Sequence, residues 1–204
     1  MKSTLALGLI LAVAGGCGGV DPPVRLTDEW PSRAGDYEDV TAAWTRKATL
    51  RSEYQEALEL AATFKSPEWR AAHAAKDARA RGLVGAALEQ HMAQAQADAA
   101  GPYEFQVMVT TWDRRENDID RGKKSVWKLR MLDEQGMEIE PLEIIKDKRP
   151  DFVVRNEFPA FGDFAKSYVV RFPREQPLLG PNTKRMRMRM SSSRGGVELV
   201  WSGG

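Results

Sequence analysis

The sequence predicts an α+β chain, with an antiparallel helical hairpin over residues 36–101 followed by an all-β sandwich of about seven strands over residues 102–204. Two observations predict it. From Asp36 to Ala100 the chain is rich in Ala, Glu, Gln, Lys and Arg, and its apolar residues recur at helical spacing. Past Gly101-Pro102 the period drops to two, with Tyr103, Phe105, Val107 and Val109 on one face of an extended segment.

The first helix opens at Asp36, whose carboxylate can accept from the unpaired N–H groups of a first turn. Val40, Ala43, Trp44, Leu50, Tyr54, Leu58, Ala61 and Ala62 then fall on one face at about 100° per residue. Lys65-Ser66-Pro67 breaks the pattern, because Ser66 is a good cap and Pro67 suits the first helical position. The second helix puts Trp69, Ala72, His73, Lys76, Ala80, Leu83, Val84, Ala87 and His91 on one stripe and stops near Gly101-Pro102. Lys47 and Arg51 interrupt the first stripe and Lys76 the second. Their stems either snorkel past the interface or make a polar contact with the β unit or a partner.

The remaining strands are expected at Val126–Met131, Met137–Ile145, Phe152–Phe158, Tyr168–Phe172, Lys184–Met190 and Val197–Trp201. Turn residues separate them at Glu134-Gln135-Gly136, Gly162-Asp163, Pro173, Gly180-Pro181-Asn182 and Gly195-Gly196. About seven short strands in about 100 residues describe an immunoglobulin-like sandwich, with a barrel as the alternative topology.

The first twenty residues carry an address. Lys2 precedes an apolar run from Leu5 to Ala14 and the small residues Gly15 and Gly16, the layout of a signal peptide over residues 1–16. The run is about half of what a hydrocarbon core of about 30 Å requires of a spanning helix. Ala14-Gly15-Gly16-Cys17 resembles the lipobox of bacterial lipoproteins, in which the cysteine thiol receives a lipid after cleavage. The resemblance implies lipidation at Cys17, a membrane partner held through that lipid anchor and residence in the cell envelope. Gly18, where an aspartate would retain a lipoprotein in the inner membrane, implies the outer membrane. Ordinary secretion after Ala12-Val13-Ala14 is the alternative, and it would leave Cys17, the chain's single cysteine, as a free thiol. Residues 17–35, with Pro22, Pro23 and Pro31, read as a lipidated N-terminus and tether.

Removing residues 1–16 takes away only Lys2 among the charges and leaves 29 basic and 29 acidic side chains. A balanced chain lacks the basic footprint of a nucleic-acid binder, so no nucleic-acid partner is expected. Residues 17–101 hold 10 basic and 13 acidic groups, and residues 102–204 hold 19 and 16. That mild opposition is screened over about 8 Å at physiological salt.

Nucleophile elbows, zinc-binding H-E-x-x-H runs and phosphate-binding glycine loops do not occur. No catalytic residue, metal or cofactor is expected. His73 and His91, five turns apart on the expected helix, are too far apart to share a metal. The carboxylates Asp113, Glu116, Asp118 and Asp120 are interleaved with Arg114, Arg115, Arg121, Lys123 and Lys124, which suits a solvated hairpin loop. In Arg185-Met186-Arg187-Met188-Arg189-Met190 a strand would turn three arginines outward and three methionines inward. Arg185, Arg187 and Arg189 then have two readings: a grip on an anionic glycan or carboxylate-rich protein, and a charged outer face that discourages edge pairing. The expected function is a noncatalytic envelope lipoprotein, a binding or structural module that contacts another envelope component, protein or glycan. The alternative is an accessory subunit of an envelope enzyme or a weak hydrolase.

Overall fold

The computed structural model describes residues 21–52 and 55–204, so the leader and Cys17 lie outside the described residues. Asp36 begins helix α1 (Tyr37–Trp44) as expected, its Oδ1 accepting from the amides of Glu38 and Asp39. Tyr37, Val40, Thr41 and Trp44 form its buried face. The helix ends there. Thr45 turns extended (φ −94°, ψ 135°), and the chain runs into strands β1 (Thr45–Ser52) and β2 (Gln55–Phe64).

The helical hairpin expected over residues 36–101 is therefore corrected: its first arm is mostly a β-hairpin. Leu58, Leu60, Ala62 and Phe64 are all buried on one side of β2, and this i, i+2 series outweighs the helical stripe drawn through Leu50, Tyr54, Leu58 and Ala61. Ala57, Ala61 and Thr63 are buried on the other side, so most of β2 is covered on both faces. A strand covered on both faces carries no polar alternation to announce it. Its Ala, Glu and Gln content favours helix as an isolated segment, and packing overrides that weak preference.

The second arm is helical but broken. Ser66 caps α2 (Pro67–Ala80), its Oγ accepting from the Trp69 amide. Gly82 then takes φ +65°, the Gly82 amide donates to the Arg79 carbonyl and the Leu83 amide to the Ala78 carbonyl. This closing pair of bonds needs a left-handed residue and ends the helix. Helix α3 (Gly85–Ala99) follows and packs against α2, with none of its residues buried. His73 and His91 thus sit on two helices, facing Glu157 at 2.9 Å and Asp77 at 3.2 Å.

Strand β3 (Tyr103–Thr111) buries Tyr103, Phe105, Val107 and Val109 on one face as expected. Two 3-10 turns (Arg114–Glu116 and Ile119–Lys124) occupy the expected solvated loop. They lead to β4 (Lys128–Leu132), β5 (Glu138–Ile139) and β6 (Glu143–Lys146), so the single strand expected over 137–145 is two. The strand expected over 152–158 is helix α4 (Asp151–Glu157), a second correction. Its buried residue Val154 lies four positions before the buried capping residue Phe158, whose amide donates to the Val154 carbonyl, while Phe152 is exposed, a helical spacing. Strands β7 (Lys166–Phe172), β8 (Arg185–Ser192) and β9 (Gly195–Ser202) complete the chain.

The strands form two antiparallel sheets, ordered β1-β2-β3-β7-β6 and β5-β4-β8-β9. One hydrophobic core takes side chains from both, including Phe105 and Trp201 with ring centroids 5.6 Å apart, and Met186, Met188 and Met190, all fully buried. The described part of the expected tether, residues 21–35, is not a free spacer. Val24 and Leu26 are buried, Val24 bridges in parallel to Gly203, and the Leu26 carbonyl accepts from the Gly180 amide.

Arg46 fastens this segment. Its guanidinium is buried and donates through Nε to the Val200 carbonyl (2.8 Å), through Nη1 to the carbonyls of Ala43 and Thr45, and through Nη2 to that of Pro22 (2.8 Å). Asp21 lies 3.5 Å away, and the Trp201 ring lies beneath at 5.9 Å. One side chain thus joins the N-terminal segment, the end of α1 and β9.

Candidate functional site

The arginine ladder lies on the outer face of the second sheet, where β8 sits between β4 and β9. Antiparallel register places Arg189 opposite Arg130 on one side and Glu198 on the other. Arg189 binds Glu198 at 2.6 Å and reaches Glu138 at 3.5 Å, Arg130 pairs with Glu140 at 2.5 Å, and Arg187 lies 3.9 Å from Glu198. Three arginines are met by three glutamates, so this face offers little net charge to an anionic partner. Arg185 has no ion pair among the described residues. It lines a groove of about 550 Å³ with Asp133, Glu134 and Glu175, where carboxylates outnumber it. The three candidate arginines therefore do not make one site. Two sit in a neutralised lattice, and the third borders an acidic groove.

A second polar constellation, invisible in the sequence, lies on the helix side of the first sheet. Lys65 and Glu104 pair at 2.7 Å, and Arg171 binds the other Glu104 oxygen at 2.7 Å. Burial alone would raise the Glu104 carboxyl, but Lys65, Arg171 and Arg70 hold it down to about 2. Burial lowers the Lys65 ammonium, an effect Glu104 opposes. Further along, Arg149 bridges Asp147 at 2.7 Å and Glu157, and Gln106 donates to both Asp147 and the Ser167 hydroxyl. Glu157 is pushed up by burial and held net low by His73 and Arg149. The His73 ring stacks on Trp69 at 4.9 Å and 15°. Its stacked face and its bond to Glu157 hold this histidine as part of the packing.

The tip of the first sheet carries exposed aromatic surface. Trp112 is 68% exposed and Phe164 is 66% exposed, yet both line one groove of about 560 Å³. Glu56, Glu59, Thr110, Thr111 and Arg114 complete its wall, with the Arg114 guanidinium 5.1 Å from the Phe164 ring centroid. The Thr111 hydroxyl donates to the Asp113 carbonyl and the Trp112 amide to that of Ala57, which fixes the backbone behind the indole. Large aromatic faces held in water within a polar rim are the surface form of a binding site. The exposed tryptophan just past the β3 alternation was the sequence signal for it.

Among the described residues no group of three or more His, Cys, Asp or Glu is placed to hold a metal ion, and no helix is long and apolar enough to cross a membrane. Cys17 lies outside the described residues. Comparison with family models, curated proteins and solved structures finds no match to this chain.

Proposed function

We propose that the chain is a noncatalytic cell-envelope lipoprotein, acylated at Cys17 in the outer membrane, that presents a binding surface to another envelope component. The observation that carries this reading is the fastening of Asp21 to Leu26 onto the core by Arg46, Gly203 and Gly180. Only Gly18, Gly19 and Val20 separate Cys17 from Asp21. Four Cα steps of at most about 3.6 Å reach about 14 Å, so an acyl anchor on Cys17 would hold the folded body against the bilayer. In this reading the two sheets pack as a sandwich of immunoglobulin-like type, supported by the Phe105–Trp201 contact, and the Trp112–Phe164 groove takes the protein or glycan partner.

The alternative, an accessory subunit of an envelope enzyme or a weak hydrolase, draws on the His73–Glu157 pair. Its ring stacking favours the binding reading. The test is intact mass and membrane fractionation of the native protein beside Cys17→Ser, with crosslinking from a probe at Trp112. Loss of acyl mass and of membrane association in the variant, with a discrete crosslinked envelope partner for wild type, is the expected result. A mature chain beginning near Gly15 with a free thiol would overturn it.

A further inference from the structure

The structure contains a third groove that shares no lining residue with the other two. It lies on the flank where the second 3-10 turn, the start of β4 and the β5–β6 connection meet, and its volume is about 490 Å³. Ile119, Trp127 and Leu129, all buried, and Pro141 and Ile144, both half-buried, give it an apolar wall. Val126 and Leu142, next in sequence to lining residues, are at least half exposed, so the apolar surface continues outward from the groove.

Its polar groups are almost all donors or cations. Lys123, Lys128 and Arg130 line it against one carboxylate, Glu140, which is already bound to Arg130 at 2.5 Å. Neither lysine has a carboxylate partner among the described residues. Of the two acids on the turn, Asp118 is occupied by the Ser125 hydroxyl and Arg121, and Asp120 does not line the groove. The Trp127 side chain is 3% exposed, and its indole N–H has no acceptor among the described residues.

An apolar wall and a cationic rim are complementary to one kind of molecule. We propose that this groove binds a small anionic amphiphile, an acyl or alkyl body ending in a carboxylate or phosphate, with the anionic group between Lys123 and Lys128 and the chain along Trp127, Leu129 and Ile144. The volume lies in the range of about 300–1,000 Å³ that encloses small ligands. The groove differs from the arginine ladder, where each cation of the pattern meets a glutamate or an acidic wall. It also stands apart from the anchor, since it requires no lipid on Cys17.

Calorimetric titration of the full-length protein carrying Cys17→Ser with dodecanoate, dodecyl phosphate and the uncharged dodecanol tests the proposal. One saturable equivalent of either anion, with dodecanol at least about tenfold weaker, is expected. The double variant Lys123→Gln/Lys128→Gln should weaken both anions about tenfold while circular dichroism and melting temperature stay unchanged. Ile144→Trp, which fills the groove, should abolish binding of all three with the fold checked in the same way. Vesicles of phosphatidylglycerol and of phosphatidylcholine separate a soluble amphiphile from a bilayer. Dodecanol binding as well as the anions, or anion binding untouched by the double variant, overturns the proposal. Vesicle binding without binding of the monomeric anions overturns it too. None of these outcomes bears on acylation or the crosslinked partner, which are read on the wild-type protein.

Discussion

Arg46 and the ladder arginines of β8 are the same side chain in two environments. Arg46 is buried, with its donors on four backbone carbonyls from three parts of the chain and one carboxylate at the edge. Burial lowers its pKa, and Asp21 works the other way. Arg187 and Arg189 lie on an outer sheet face and divide their contacts among Glu138, Glu198 and a backbone carbonyl. The ladder is conspicuous in the sequence and Arg46 is not, yet Arg46 organises more of the fold. A charge pattern reports where side chains point. Whether a charge is needed depends on what would be left unpaired without it.

The largest effect that can sharpen this contrast is Arg46→Met. It keeps an apolar stem but strands the carbonyls of Pro22, Ala43, Thr45 and Val200, so a loss of about 3–5 kcal/mol is expected in urea unfolding, with early proteolysis near residue 22. A loss under about 1 kcal/mol would put Arg46 in the same class as the ladder.

Glu104 stands between the two extremes. Its folded pKa of about 2 lies below the ordinary 4.5, so the stability it contributes is present above about pH 4.5 and is lost as pH falls toward 2. At most about 3 kcal/mol is involved. The stability gap between wild type and Glu104→Gln should close over that window. A gap that stays constant from pH 6 to pH 2.5 would show that Lys65, Arg70 and Arg171 do not act on it through charge.

Smaller still is Arg187→Met. The Arg187 Nε is buried without an acceptor among the described residues, so removing it should change stability by no more than about 1 kcal/mol in either direction. Arg189→Ala, on a half-exposed pair, should cost about 0.5 kcal/mol, and about 0.5 M salt should erase the difference. A cost above about 2 kcal/mol there would make the ladder structural after all.

The same contrast explains how much the sequence disclosed. Local chemistry was legible: the caps at Asp36 and Ser66, Pro67 at the first turn, the β3 alternation, and the burial of Met186, Met188 and Met190 opposite the arginines. Non-local chemistry was not. β2 was read as helix because a strand buried on both faces shows no polar face, and α4 was read as a strand because Phe152-Val153-Val154 is apolar enough for either. Arg46 was passed over for Lys47 and Arg51, both exposed, since its partners at Pro22 and Val200 are 24 and 154 residues away. The Lys123–Lys128 groove needed the β5–β6 connection brought beside the turn, which no spacing in the loop announces.

The clasp also has a mechanical side. A pull on the N-terminal end enters at Asp21 and Pro22 and passes at once to Arg46, to the Val24–Gly203 bridge and to the Leu26–Gly180 bond. Val24 runs parallel to the end of β9, so the bonds there lie across the line of force and are loaded together in shear, instead of opening one after another from a free end. Because the load spreads into β9, α1 and β1 through a single guanidinium, tension at this end is resisted by both sheets at once.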